Sequence, residues 1–504
     1  VSIVAAAVRL SNWPIEQGFL DRACSTVAAR MAARMQREAG RGEAVAEDDA
    51  RDARPARRVL VLAYFLPPVG GGSTARNSSV LAHLPALGYE PVVVTGSGRA
   101  EHYWAPHTER FSQRLAGARV LRIPGPEPEA ARGLRRRAER LLDLQSEWHR
   151  WWVRGARELG RQLCSQVDLI YASLEPYESA FVACELARVS GRPWVAELLD
   201  PWALDEMRMH VSLLHRMRDR RRMRRSLASA AAVIMNTPEA RSRLERELPE
   251  LRDRPIESVA LGFDRSDFEP PPPSDASADV FRIVHTGFFH TELGLKHRRS
   301  ARLRRLLGGL YAPVDVLTRS HAYLLRAIER TLERDPGLRG RIELHLAGSL
   351  TPADRAVIGS APAGLVVREH GQLPHERSIA LIRSADLLFL PLYELPPGRR
   401  AGIVPGKTYE YLASGRPILA ALPEGDARDL LAAAGTARLV GPSDVAAMSE
   451  TLTRELGRWQ RGEEPPRPRR EVVERYERAE IARQLASLFD RLLVPAAVAP
   501  RTPF

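Results

Sequence analysis

Two stretches of this chain alternate short apolar runs with helix-like segments, and four consecutive prolines at 270–273 stand between them. The alternation constrains the fold more than any other feature. Strands that are apolar on both faces, each followed by a helical segment, close as parallel sheets covered by helices on both sides. In the first series the apolar runs fall at 59–64, 91–95, 118–123, 167–173, 194–198 and 231–236. In the second they fall at 281–285, 342–347, 365–369, 386–390, 417–421 and 437–440. The prolines, continued by Ser-Asp-Ala-Ser-Ala-Asp, read as a hinge. A final segment, 471–493, carries apolar residues at helical spacing and predicts one long amphipathic helix. The expected fold class is therefore α/β, two doubly wound domains in succession with a C-terminal helix. The expected divisions are an appendage at 1–56, a first domain at 57–269, a linker at 270–279, a second domain at 280–466 and a helix with tail at 467–504. Within the appendage, 15–38 reads as a helix and 43–54 as a polar, acidic stretch.

Charge excludes less than it first suggests. The net charge is +13, from 75 basic and 62 acidic side chains. Only two of the basic residues are lysines, Lys296 and Lys407, so arginine has replaced lysine throughout. A bias that general is weak evidence for a nucleic-acid partner, and none is expected. It does single out the two surviving lysines. The three cysteines, Cys24, Cys164 and Cys184, are widely spaced and form no C-x-x-C, which fits a reducing cytoplasm and neither a disulfide framework nor a zinc site. No run approaches the length a membrane span needs. Residues 1–8 are apolar but carry no positive charge ahead of the run, unlike a signal peptide.

Two motifs carry chemistry. Gly70-Gly71-Gly72 lies between a strand and a helix that Ser73 is placed to cap, the helix running to Leu87 with Gly88 at its end. Such a loop either approaches an anion with its backbone or is a tight turn. G-x-G-x-x-G and G-x-x-x-x-G-K-[ST] are both absent, which disfavours NAD enzymes and P-loop NTPases. The second motif runs from Val404 through Pro405, Gly406, Lys407 and Glu410 to Gly415, a short helix followed by a strand. Lys407 and Glu410 share a face at the helix start, placed for a pyrophosphate and a ribose or else for an exposed ion pair. In the first series, Asp200 follows a strand end, where it either orients a substrate hydroxyl or caps the next helix. Glu175 and Glu178 follow another strand end.

Together the P-P-x-G-G-G-S-x-x-R loop, Leu261-Gly262-Phe263-Asp264 with Phe268, and K-x-x-E-Y-L-A-x-G-x-P resemble the family 4 glycosyltransferases of the GT-B fold, over about 57–460. The resemblance implies two Rossmann-like domains facing across a cleft and a nucleotide-sugar donor, UDP- or GDP-linked, held by the second domain. It further implies an acceptor in the first domain and transfer with retention. Donor contacts would come from Gly71, Gly72, Gly287, Gly371, Leu373, Pro405, Gly406, Lys407 and Glu410, and acceptor contacts from Glu175 and Asp200. Glu410 matches the second glutamate of the family's E-x7-E motif, but the first position is Gly402. Arg319 falls where the family has a phosphate-binding lysine, with Lys296 and Arg298 as alternatives in an insertion of about thirty residues after Gly287. Asp200, Arg319 and Lys407 are the expected catalytic residues.

No D-x-D occurs, so neither a metal nor any other cofactor is expected. Arg216–Arg225, with seven arginines, and Trp148, Trp151 and Trp152 read either as a surface for anionic lipid or as a solvated face. The expected product class is a cell-surface or exopolysaccharide glycan, made on a glycan or lipid-linked acceptor at the inner face of the membrane. Two other readings remain open: a GT-B nucleotide-sugar epimerase, and a lapsed enzyme that binds membrane or nucleic acid.

Overall fold

Strand β1 (Arg57–Leu62) is the first of seven parallel strands, and its last four residues are fully enclosed. The computed structural model describes residues 56–98, 109–269 and 279–494; the expected helix at 15–38 and most of the hinge lie outside them. The other strands of the first sheet are β2 (Tyr89–Thr95), β3 (Arg119–Arg122), β4 (Leu169–Ser173), β5 (Trp194–Leu198), β6 (Ala232–Met235) and β7 (Ile256–Ser258). Their spatial order is β3-β2-β1-β4-β5-β6-β7. The second sheet comprises β8 (Phe281–Thr286), β9 (Ile342–Ala347), β10 (Leu365–Gly371), β11 (Leu387–Pro391), β12 (Ile418–Ala421) and β13 (Ala437–Val440), in the order β10-β9-β8-β11-β12-β13. All pairings in both sheets are parallel. Each sheet therefore reverses strand order once, between β1 and β4 and between β8 and β11. An open parallel sheet leaves a crevice at the carboxyl ends of its strands at that reversal. β7 is the one strand of the described residues that the hydrophobic runs did not predict; at three residues its pattern is too short to stand out.

The terminal segment departs from expectation. Instead of one helix over 471–493 there are two, Arg470–Glu474 and Arg478–Leu493. Between them the backbone pairs with Phe263, whose N–H donates to the Tyr476 carbonyl at 3.0 Å and whose carbonyl accepts from Arg478 N–H at 2.9 Å. A local hydrophobic period cannot report that distant pairing. It also explains Gly262, at φ 68°, where a Cβ would stand 2.6 Å from the Tyr476 carbonyl. The second of these helices covers the first sheet, with Ile481, Leu485, Leu488 and Phe489 packed among Val59, Val61, Val195 and Ile234.

The first helix is also shorter than expected. It spans Gly72–His83 with Gly71 in the capping position, and Pro85 starts a separate turn that Gly88 ends. Ser73 is inside the helix and turns its hydroxyl to Glu175.

The tryptophans pack on the core of the first lobe, one of them wholly and two in part. Trp152 is fully enclosed and its indole donates to Ser179 Oγ at 3.0 Å. Trp148 donates to the Tyr64 hydroxyl at 3.2 Å, and Trp151 packs against the same core. The helix Leu213–Leu227 is a free cationic face only in part: Arg220, Arg222 and Arg224 pair with Glu247, Asp143 and Glu250.

The insertion after Gly287 forms a helix, Thr291–Leu306, that reaches the first lobe. Met209 and Leu310 form an antiparallel bridge, and His210 N–H donates to the Gly309 carbonyl at 2.9 Å.

Candidate functional site

Both strand-order reversals open onto one cavity of about 490 Å3 between the two sheets. The first lobe contributes the Gly70–Ser73 loop after β1, Glu175 after β4 and Asp200 after β5. The second contributes Gly287 after β8, Ser349 after β9, Leu373 after β10, Arg319 just after the insertion, and Pro405, Gly406, Lys407 and Glu410. Eleven of the twelve site residues expected from the sequence therefore share this cavity. The twelfth, Gly371, lies just outside it and accepts Gly348 N–H on its carbonyl at 2.7 Å.

Lys407 begins the helix Lys407–Ser414, directly after Gly406. Its Nζ lies 3.0 Å from His285 Nε2. His285 Nδ1 is 2.9 Å from the Phe389 carbonyl, which can only accept, so Nδ1 carries the proton and Nε2 accepts from the lysine. Stacking on Phe289, with ring centroids 4.1 Å apart, fixes the imidazole plane. Gly287 makes room: at φ 92°, a Cβ would stand 3.0 Å from Lys407 Nζ. Gly348 packs against Gly287 in turn, since a Cβ there would approach the Gly287 carbonyl to 2.6 Å. Enclosure between the lobes, and the charge of Arg319, push the Lys407 ammonium down to about 7, with Glu410 opposing. No carboxylate pairs with Lys407 or Arg319 among the described residues. Arg319 is half-buried, and its Nη1 is 3.3 Å from Met207 Sδ.

The other wall is acidic. Enclosure pushes Glu175 up to about 7; the hydrogen bond from Ser73 opposes this and the charge of Asp200 adds to it. Asp200 keeps open surface toward the cavity although it lies deep between the lobes, and the loss of bulk water raises its carboxyl while Arg319 lowers it. Capping is not its role: the short turn Trp202–Leu204 begins at Pro201 and has no side-chain cap. Glu410 is half-buried, raised by enclosure, with His375 and Arg478 opposing.

Lys296 and Arg298 do not reach the cavity. Lys296 lines a separate groove, and Arg298 is paired with Asp315 at 2.6 Å. Gly402 lies behind the wall. Its N–H donates to Glu206 Oε1 at 3.2 Å, and a Cβ would stand 3.1 Å from Arg243 Nη2. Arg243, itself paired with Glu206 at 2.7 Å, occupies the space a side chain at 402 would need. The sequence reading missed Met207, His290, Ser349 and Arg478, which also line the cavity. None belongs to a local motif; Arg478 arrives only because the C-terminal helix returns to the first lobe.

Comparison with known proteins agrees with this geometry. Residues 71–262 match the Glycosyl transferase 4-like domain, and residues 312–457 match Glycosyl transferases group 1. No curated protein sequence matches the chain. Among solved structures, sucrose-phosphate synthase from Thermosynechococcus elongatus superposes with a TM-score of 0.58 at 17% identity, covering 87% of this chain and all of its own. A glycosyltransferase from Rickettsia africae gives 0.56 at 11% identity, covering 88% of this chain and 100% of its own. The HepE protein of Anabaena, in complex with UDP and glucose, gives 0.52 at 15% identity, covering 86% and 100%. At these identities the likeness carries the fold, two Rossmann-like domains of the GT-B type.

Proposed function

We propose a donor and a reaction course for a chain that belongs to the group 1 glycosyltransferases of the GT-B fold, its two family matches together covering about two thirds of its length. The donor is a nucleotide diphosphate sugar, UDP- or GDP-linked, seated on the second lobe. The observation that carries this reading is the pair of cations, Lys407 and Arg319, facing one cavity without a carboxylate partner and beside the start of a helix. Helix N–H groups and a compact ammonium together suit a diphosphate. Glu410, one turn further along the same helix, suits ribose hydroxyls. The Anabaena protein named above was solved with UDP and glucose, which supports a donor of this class.

In the proposed reaction the bond between the anomeric carbon and the diphosphate oxygen breaks as Lys407 and Arg319 stabilise the negative charge of the departing nucleoside diphosphate. An acceptor hydroxyl, oriented by Asp200 and Glu175, attacks the same face, and its proton passes to the departing phosphate oxygen. The anomeric configuration is retained. The cations of the protein take the role that a D-x-D metal site fills elsewhere, so the reaction is proposed to need no metal and to keep full activity in EDTA. The acceptor is proposed to be a glycan or a lipid-linked sugar, in cell-surface or exopolysaccharide synthesis on the cytoplasmic side of a membrane.

The test is a thermal-shift screen of UDP, GDP and their sugars against the full chain, followed by nucleoside diphosphate release with each sugar. Stabilisation by one nucleotide, together with release from its sugar, is the expected result. Failure of every nucleotide to raise the melting temperature overturns the donor assignment. Loss of activity in EDTA that magnesium or manganese restores overturns the metal-free course.

A further inference from the structure

The described surface concentrates its large exposed apolar side chains in one place. Leu134 at 80% exposure, with Leu141 and Leu142, comes from the helix Gly133–Leu141 and the residue after it. Leu213, Leu214 and Met217 come from the first turns of the helix Leu213–Leu227. Leu303, Leu306 at 83% exposure and Leu307 come from the end of the insertion helix Thr291–Leu306. These three segments are distant in sequence and belong to both lobes, yet they adjoin. Leu213 N–H donates to the Leu307 carbonyl at 2.6 Å, and His215 Nε2 lies 3.0 Å from the Leu141 carbonyl. Arg140 lines one groove with Lys296, Arg299 and Arg304.

A soluble surface rarely gathers so many leucines without a partner. The helix Gly133–Leu141 is the clearest case, since none of its residues is buried. The same three segments carry Arg136, Arg137, Arg218, Arg221, Arg302 and Arg305, all exposed and none in an ion pair among the described residues. Leucines interleaved with unneutralised arginines match a surface that is apolar beneath and anionic at its rim. The leucines enter the boundary of the acyl chains while the guanidinium groups meet phosphate.

We propose that the chain docks on an anionic lipid bilayer through this three-segment patch, with the insertion helix supplying the part of it that belongs to the second lobe. The patch leaves out the tryptophans but keeps Arg218 and Arg221 of the Arg216–Arg225 run, and it extends from that helix to the two other segments. Beneath it runs a groove of about 380 Å3 lined by Arg140, Tyr177 and Trp202, whose two rings stack at 4.8 Å. Tyr177 is two residues from Glu175 of the main cavity. Docking itself is independent of the donor chemistry, so sugar transfer to a soluble acceptor is read separately.

The experiment is flotation of the full chain with vesicles of phosphatidylcholine alone and with 30% phosphatidylglycerol (roughly the charge at which juxtamembrane basic clusters bind). Wild type is expected to float with the anionic vesicles and not the neutral ones, and to be released by high salt. Leu303→Glu with Leu306→Glu, and separately Arg136→Glu with Arg137→Glu, are expected to cut binding at least tenfold (on the order of several charge contacts). All four positions are exposed, so unchanged melting temperature and unchanged nucleotide response are the folding controls. Absence of wild-type flotation, equal binding to neutral vesicles, or wild-type binding by both variants overturns the proposal. Light scattering that shows a dimer dissociated by the leucine variant, without flotation, assigns the patch to a second copy and overturns it as well.

Discussion

The lining of the cleft and the layer just behind it treat charge in opposite ways. Behind the cleft, charged side chains are matched at short range: Arg76 with Glu197 at 2.5 Å and Arg243 with Glu206 at 2.7 Å. In the lining, Lys407 and Arg319 on one wall and Glu175 and Asp200 on the other have no ion-pair partner among the described residues, and each is shifted toward its neutral form. A buried charge left unmatched is costly, so a fold retains one where a ligand supplies the match. The difference separates residues that hold the walls from residues that wait for substrate, even where both belong to the same motif. Arg76 is such a case: it ends the P-P-x-G-G-G-S-x-x-R loop but is spent on Glu197.

The largest effect is expected behind the cleft. Glu197→Ala strands the enclosed Arg76 guanidinium, and the expected loss is about 3 kcal/mol in urea unfolding; an unchanged midpoint would erase the contrast between the two layers. Next, Lys407→Ala and Glu410→Ala are each predicted to reduce donor turnover at least tenfold (the order expected when a contact to developing charge is removed) without a loss of melting temperature. Wild-type rates in both variants would refute the donor wall. Smaller still, Asp200→Asn and Glu175→Gln are predicted to raise the acceptor KM severalfold, on the scale of one hydrogen bond, and to leave the donor KM alone. An effect on the donor KM only would place both carboxylates on the wrong substrate.

The mildest prediction concerns pH. Enclosure pushes Lys407 down to about 7, and a diphosphate binds its protonated form. Donor affinity is therefore full below that value and declines as pH rises through it, approaching about tenfold per unit. Lys407→Arg keeps its charge across this range and is expected to flatten the profile. A slope that survives the substitution would mean another group titrates.

What was legible in the sequence was local. The strands from β1 to β13, apart from β7, show as short apolar runs. The central ones, such as β4, β5, β11 and β12, do so because they are enclosed on both faces, whereas β3, β10 and β13 are partly exposed. Lys407 and Glu410 stood out because the glycines and prolines that shape their helix are adjacent in the chain. The expectation that failed for the tryptophans failed for a physical reason too: an amphipathic helix bearing three indoles reads the same whether its apolar face meets a bilayer or β1. Only the packed first lobe decides, through Ser179 and Tyr64.

Gly402 shows the boundary most plainly. Its departure from the E-x7-E pattern is visible in the sequence, and by itself it suggests a defective site. The tertiary structure adds that Arg243, from the other lobe, fills the space a side chain at 402 would need. Sequence alone determined the class of fold and the order of its strands along the chain, which follow from short-range periodicity and turn chemistry. It also named eleven of the cleft's members, several of them only through the resemblance of its motifs to a known family. Which charges face each other, which are already matched, and which leucines of three remote segments meet on one surface were settled only when the two sheets closed. Those relations depend on distances across the fold, and no local pattern encodes them.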